Sequence, residues 1–187
     1  MAGAPPPSAR TSPATARNRE PILQVLRRVL PREARVLEIA SGAGEHAVFI
    51  AQAIPQVRWR PSDPDPDARA SIAAWRAAAG LANLDPPLAL DAADPATWPA
   101  APVEAVVCIN MIHISPWAAT EGLMAGAGRV LSGGGQLVVR DQRLQAQRPG
   151  GRDAFEAGDA VVHRDQHVGA AVPDALGDGR REAIAVD

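Results

Sequence analysis

One feature limits the fold more than any other. Short, nearly continuous apolar runs alternate with stretches whose apolar residues recur at helical spacing. The runs lie at residues 35–39, 57–60, 88–91, 105–110 and 136–139. Between them, helices are expected over 18–30, 45–54 and 67–79, and from Ser115-Pro116 onward. In the first, Asn18 is placed to cap, Pro21 falls in the first turn, and Ile22, Val25, Leu26, Val29 and Leu30 share one face. Strands apolar on both sides need cover on both sides. The alternation therefore predicts the α/β class: a doubly wound, mostly parallel sheet.

The two ends of the chain read differently. Residues 1–14 are rich in Pro, Ala and Ser and are expected to be a flexible leader. Residues 15–139 carry the α/β pattern. Beyond 139 no strand-like apolar run exceeds a Val-Val pair. Arg-, Ala- and Gly-rich sequence without apolar period is what a GC-rich gene yields in the wrong frame. Residues 140–187 are thus expected to be an atypical, frameshifted or disordered segment. The sheet would then lack its last strands, with a bare edge on the fifth.

Composition removes several classes of function. All 19 basic residues are Arg, so no lysine mechanism is available. The net charge of −2, with scarce aromatic residues, gives no footprint for nucleic acid. Cys108 is the single cysteine and is read as a small core residue. No His/Cys/carboxylate set has metal spacing, so no metal is expected. No apolar run is long enough to span a membrane, and the N-terminus lacks a secretory apolar segment. A soluble cytoplasmic protein is the expectation, with oligomeric state left open.

In a doubly wound sheet, ligands bind beyond the carboxyl ends of the strands. The first strand delivers Glu38 and then the turn Ser41-Gly42-Ala43-Gly44. Its glycines let backbone approach a ligand, and the next helix aims free N–H groups at it. The second strand ends in Asp63, where a carboxylate can hold both hydroxyls of a ribose. The third ends in Asp91 and the fourth in Asn110. Each of these residues also fits an ordinary turn or cap; it is their spacing together that points to a nucleoside. Glu38 and Glu45 flank the turn and would repel a diphosphate. A phosphate-free cationic nucleoside suits the charge better, and S-adenosylmethionine is one. Glu38 would attract its amino group, Asp63 the ribose and Asp91 the adenine.

Val36-Leu37-Glu38-Ile39-Ala40-Ser41-Gly42-Ala43-Gly44 resembles the first motif of class I S-adenosylmethionine-dependent methyltransferases, whose fold is Rossmann-like. Together with Arg17–Leu23, Glu45-His46, Trp59–Asp63 and Cys108–Trp117, it is similar to the methyltransferase-like 26 family, a conserved domain of unknown function. The resemblance covers about residues 15–139. It implies the class I fold and a methyl-donor site, expected at Glu38, Ser41, Gly42, Gly44, His46, Asp63, Asp91 and Asn110; a small-molecule acceptor is a separate expectation. The resemblance stops at Arg140.

Methyl transfer needs alignment, and a base where the acceptor must lose a proton. His113, three residues past Asn110, is the candidate base; a loop-packing role competes with it. His46 is expected to shape the donor pocket. Trp59, Trp75 and Trp98 are expected in packing, and Trp117 in packing or in the acceptor pocket. Two other readings stay open: a non-catalytic methyltransferase-like binding protein, and an NAD(P)-dependent oxidoreductase.

Overall fold

The structure is a computed structural model. It describes residue 6, residues 8–141 and the backbone of residues 159–163. In chain order the elements are α1 (Pro13–Val29), β1 (Arg35–Ile39), α2 (Glu45–Ala53), β2 (Arg58–Pro61), α3 (Pro66–Ala79), a short 3₁₀ turn (Pro95–Thr97), β3 (Val103–Ile109), α4 (Trp117–Val130), β4 (Leu131–Arg140) and β5 (Asp159–His163). The sheet order is β2-β1-β3-β4-β5. The first four strands are parallel, and β5 runs antiparallel to β4.

Strand residues alternate between two cores. Val36, Ala105, Val107 and Val138 pack with Leu26 of α1 and Ile50 of α2. Leu37, Ile39, Val106, Cys108, Leu137 and Val139 pack with Leu123, Ala127 and Val130 of α4. The doubly wound α/β expectation is therefore met. Cys108 is buried, and burial pushes its thiol well above the usual range, in keeping with a core role.

Five expectations change. First, α1 begins at Pro13, so Pro21 lies inside the helix and Asn18 is no cap. Pro21 removes one helical hydrogen bond. Full burial of Ile22, Leu23, Val25 and Leu26 on the sheet offsets that loss. Second, the leader is anchored from Arg10. Its N–H donates to Ser71 Oγ (2.8 Å), and its carbonyl accepts from Trp75 Nε1 (3.0 Å). Trp75 is accordingly half-buried, holding this segment rather than filling the core.

Third, residues 88–91 form no regular strand. The segment runs parallel to β2 through single bridges at Leu84 and Leu88. Pro86 and Pro87 take away the donors a ladder would need. Fourth, α4 starts at Trp117 with Pro116 in the cap position, one residue later than expected. Trp117 is 40% exposed, donates to Glu121 Oε1 (3.1 Å) and does not line the cleft described below. Fifth, the edge of the last parallel strand is not bare, because β5 pairs along residues 136–140. Residues 142–158 and 164–187, on which the frameshift and disorder reading also falls, lie outside the described residues.

Candidate functional site

The order in which strands are added across the sheet reverses at β1. From β1 the chain moves outward to β2, then crosses back to place β3 on the other side of β1. The helices after β1 and β3 therefore leave on opposite faces, and a crevice opens between the two strand ends. A cleft of about 310 Å³ occupies this point. Residues 40–46 after β1 form one wall and residues 109–115 after β3 the other. Ser12 and Thr15 of the N-terminal region close one side, and Glu38 and Asp63 face in.

The two turns are held in uncommon backbone conformations. Ala40 (φ 55°) and Asn110 (φ 58°) occupy the left-handed region at the ends of β1 and β3. Such strain collects at binding and catalytic sites. Gly42 and Gly44 also have positive φ, yet their roles differ. A Cβ on Gly42 would meet nothing within 4 Å. A Cβ on Gly44 would lie 2.9 Å from the Ile72 backbone, so this glycine lets α2 approach α3. Gly44 is thus required by packing, whereas Gly42 leaves open space beside the turn; both line the cleft.

Glu38 is 2% exposed. It accepts from Trp59 Nε1 (2.9 Å). Burial raises its pKa to about 7; hydrogen bonds from Trp59 and Ser41 pull it down, and the nearby Asp63 charge pushes it up. Ser41 also ties the turn to the end of β2, its Oγ accepting from Ser62 N (3.1 Å). Asp63 accepts from Gly42 N (2.9 Å) and Asp65 N (3.0 Å), so it braces the glycine turn. Among the described residues, neither Glu38 nor Asp63 joins an ion pair. The Glu45 carboxylate accepts the Ser12 N–H.

His46 is buried, with Nε2 2.9 Å from Asn18 Oδ1. Burial first, and then the charges of Arg140 and Arg19, lower its pKa to about 4. At neutral pH the ring is uncharged, so Nε2 donates to the amide oxygen and fastens α1 to α2. The Asn110 Oδ1 is buried in the cleft wall with no hydrogen-bond partner among the described residues. His113 also lines the cleft, and its Nδ1 lies 3.0 Å and 3.1 Å from the two oxygens of Asp141. Asp91 is not brought to the cleft. It is exposed, and its Oδ1 accepts from Ala93 N (2.9 Å). The irregular third segment sets it outside.

Three partners escaped the sequence reading. Asn18 resembled a cap, and Trp59 a packing residue. Asp141 fell in a segment set aside as atypical. The rule applied to the other strand ends would have found it, since it follows the apolar run of β4 directly.

The matched family covers residues 9–141 and is described as "Protein of unknown function (DUF938)". The chain belongs to the DUF938 family. Solved structures share the fold of this DUF938 chain. S-adenosylmethionine-dependent methyltransferase SibL, in its apo form, superposes with a TM-score of 0.59 at 23% identity, covering 68% of this chain and 36% of that one. An O-methyltransferase family protein from Burkholderia thailandensis gives 0.57 at 19%, covering 67% and 38%. Coclaurine N-methyltransferase, bound to N-methylheliamine and SAH, gives 0.56 at 16%, covering 66% and 36%. The described DUF938 chain therefore has the Rossmann-like class I methyltransferase fold, and it spans under two fifths of the length of these three structures. Among the described residues, no helix is long and apolar enough to cross a membrane, and no group of three or more ligating side chains could hold a metal.

Proposed function

We propose that this chain binds S-adenosylmethionine in the cleft and transfers its methyl group to a small-molecule acceptor. The observation that carries the reading is the pair of carboxylates, Glu38 and Asp63, lining the cleft with no cationic partner among the described residues. Burying acids without counter-charge is costly. A ligand with an ammonium and a sulfonium supplies that charge. The residues present fit it in two further ways. Open space over Gly42 admits a nucleoside against the backbone. The unpartnered Asn110 Oδ1 offers an acceptor to an amino group. A diphosphate would meet three acids, Glu38, Glu45 and Asp63, around the same turn.

The residues divide the work. Glu38 and Asn110 face the amino acid part of the donor. Asp63, braced on Gly42, holds the ribose. Ser41 and Gly42 shape the turn against it, Gly44 sets the packing behind it, and His46 fixes the wall through Asn18. Asp91 does not belong to this set as the chain is folded. The donor supplies a methyl carbon already activated by positive sulfur; the protein supplies alignment. The motif string from Val36 to Gly44 and the segment Cys108–Trp117 also support kinship with the methyltransferase-like 26 family.

Binding tests this directly. Saturating S-adenosylmethionine or S-adenosylhomocysteine should raise the melting temperature by mass action on the folded state. Asp63→Ala should weaken binding on the order of 100-fold, from the loss of charge-assisted hydrogen bonds. A folded protein whose melting curve ignores millimolar donor would end the reading.

A further inference from the structure

The mouth of the cleft on the β3–β4 side holds an acid–imidazole pair that donor binding does not explain. His113 is in the loop after β3, and Asp141 directly follows β4. They are 28 residues apart and meet because β3 and β4 are parallel neighbours in register to their ends, Ile109 opposite Arg140. The Asn110 N–H donates to the Arg140 carbonyl at 2.7 Å and extends that register into the loop. Asp141 is 1% exposed, whereas the His113 side chain keeps 22% of its surface open. The same carboxylate receives the His113 backbone N–H (3.2 Å) and both close contacts to Nδ1. Ring and loop are thus held by one buried acid.

This fixes the tautomer. A carboxylate facing Nδ1 requires a proton there, which leaves the lone pair on Nε2, on a ring that lines the cleft. We infer that His113 is a general base positioned by Asp141, and that the acceptor is therefore a weakly acidic hydroxyl compound. The inference rests on the methyltransferase reading above. An amine is nucleophilic as it stands, and a thiol ionises readily in water; a hydroxyl needs its proton taken as the bond forms. Nε2 accepts the hydroxyl proton, and the oxygen pair forms the bond to the methyl carbon. The carbon–sulfur bond breaks with its electron pair on sulfur, which becomes a neutral thioether. The imidazolium, balanced by the Asp141 carboxylate, then returns its proton to water. Beside the pair, Ile114 is a large hydrophobic side chain 77% exposed that also lines the cleft. This favours an acceptor whose hydroxyl is carried on an apolar ring.

The first test needs no donor. Heteronuclear NMR of the ring nitrogens in the ligand-free protein should find the neutral His113 protonated at Nδ1. Asp141→Asn should shift it toward the Nε2–H form. A wild-type ring protonated at Nε2 overturns the inference. The second test uses phenol and para-nitrophenol as probes, at a pH where only the latter is ionised. His113→Gln should lose about 100-fold or more in kcat toward phenol and much less toward para-nitrophenol. Asp141→Asn should show the same pattern more weakly. An equal loss on both probes, or no turnover of either by a wild type that binds S-adenosylhomocysteine, overturns the base and the hydroxyl class. Calorimetry with S-adenosylhomocysteine should be unchanged in both variants. Absence of binding in the wild type instead removes the donor reading and, with it, this one.

Discussion

The two ends of the sheet handle charge in opposite ways. At the amino ends of β1, β2 and β3 a groove of about 280 Å³ is edged by Arg35, Arg58, Arg60 and Asp85. Its charges are matched within the fold. Arg35 Nη2 meets Glu104 at 2.6 Å, and Arg58 and Arg60 share Asp85 at 2.8 Å and 3.0 Å. All three arginines are largely exposed, so their pairing is screened by water. At the carboxyl ends, Glu38 and Asp63 are buried and, among the described residues, accept only N–H and O–H groups. One end has completed its electrostatics internally. The other leaves two acids with no cationic partner among the described residues, to be completed from outside. The contrast teaches which end is the site, and the sign of what it receives.

The hardest break of the contrast is at Gly44. Gly44→Val puts a side chain into the Ile72 backbone at positive φ, and should cost about 3–5 kcal/mol in chemical denaturation. Gly42→Ala, in open space, should cost about 1 kcal/mol from backbone strain alone, while disturbing the cleft.

The buried titrating groups come next. The pKa of Glu38 is raised from 4.5 to about 7, so the folded state holds a proton that the unfolded state has lost. Its contribution is complete below pH 4.5 and is lost as pH rises through about 7. That of His46 is lowered from 6.5 to about 4, so its contribution is complete above pH 6.5 and is lost as pH falls through about 4. Each is worth about 3 kcal/mol and they oppose one another. The wild-type stability curve should therefore be nearly level across this window as far as these two groups decide it. Glu38→Gln should expose a fall in stability toward acid, and His46→Gln a fall toward neutral pH. Urea midpoints read at a series of pH values check both. Level curves in both variants would remove the assigned charge states.

The smallest effect belongs to the closed end. Asp85→Asn should lower stability by about 1 kcal/mol, less at high salt, and leave donor binding unchanged. Asp63→Ala should reverse that order of effects. If Asp85 mattered more than Asp63 for binding, the site would lie at the wrong end of the sheet.

Much of this could be read before the coordinates. Period-two apolar runs place Val36 and Leu37 on opposite faces, and that alone requires a sheet covered twice. Gly80, which ends α3 in a left-handed conformation, is a local signal with a local cause. Legibility failed where a distant partner overruled a local preference. Pro21 reads as a helix start, but burial of its neighbours carries α1 through it. The 88–91 run reads as a strand, but Pro86-Pro87 and an edge position reduce it to two bridges, taking Asp91 away from the cleft. Asp141 was hidden because the sequence after it changes character, although the strand before it does not.

By itself the sequence determined the α/β class, the glycine turn, and the acids at the ends of β1 and β2. These follow from spacing along the chain, which short-range sterics and burial convert directly into structure. Only the tertiary structure decided which acids lack a cationic partner among the described residues, which glycine is demanded by helix packing, and that Asp141 holds His113. Those outcomes depend on strand register and burial, which bring together groups far apart in the chain and set the cost of charge at each place.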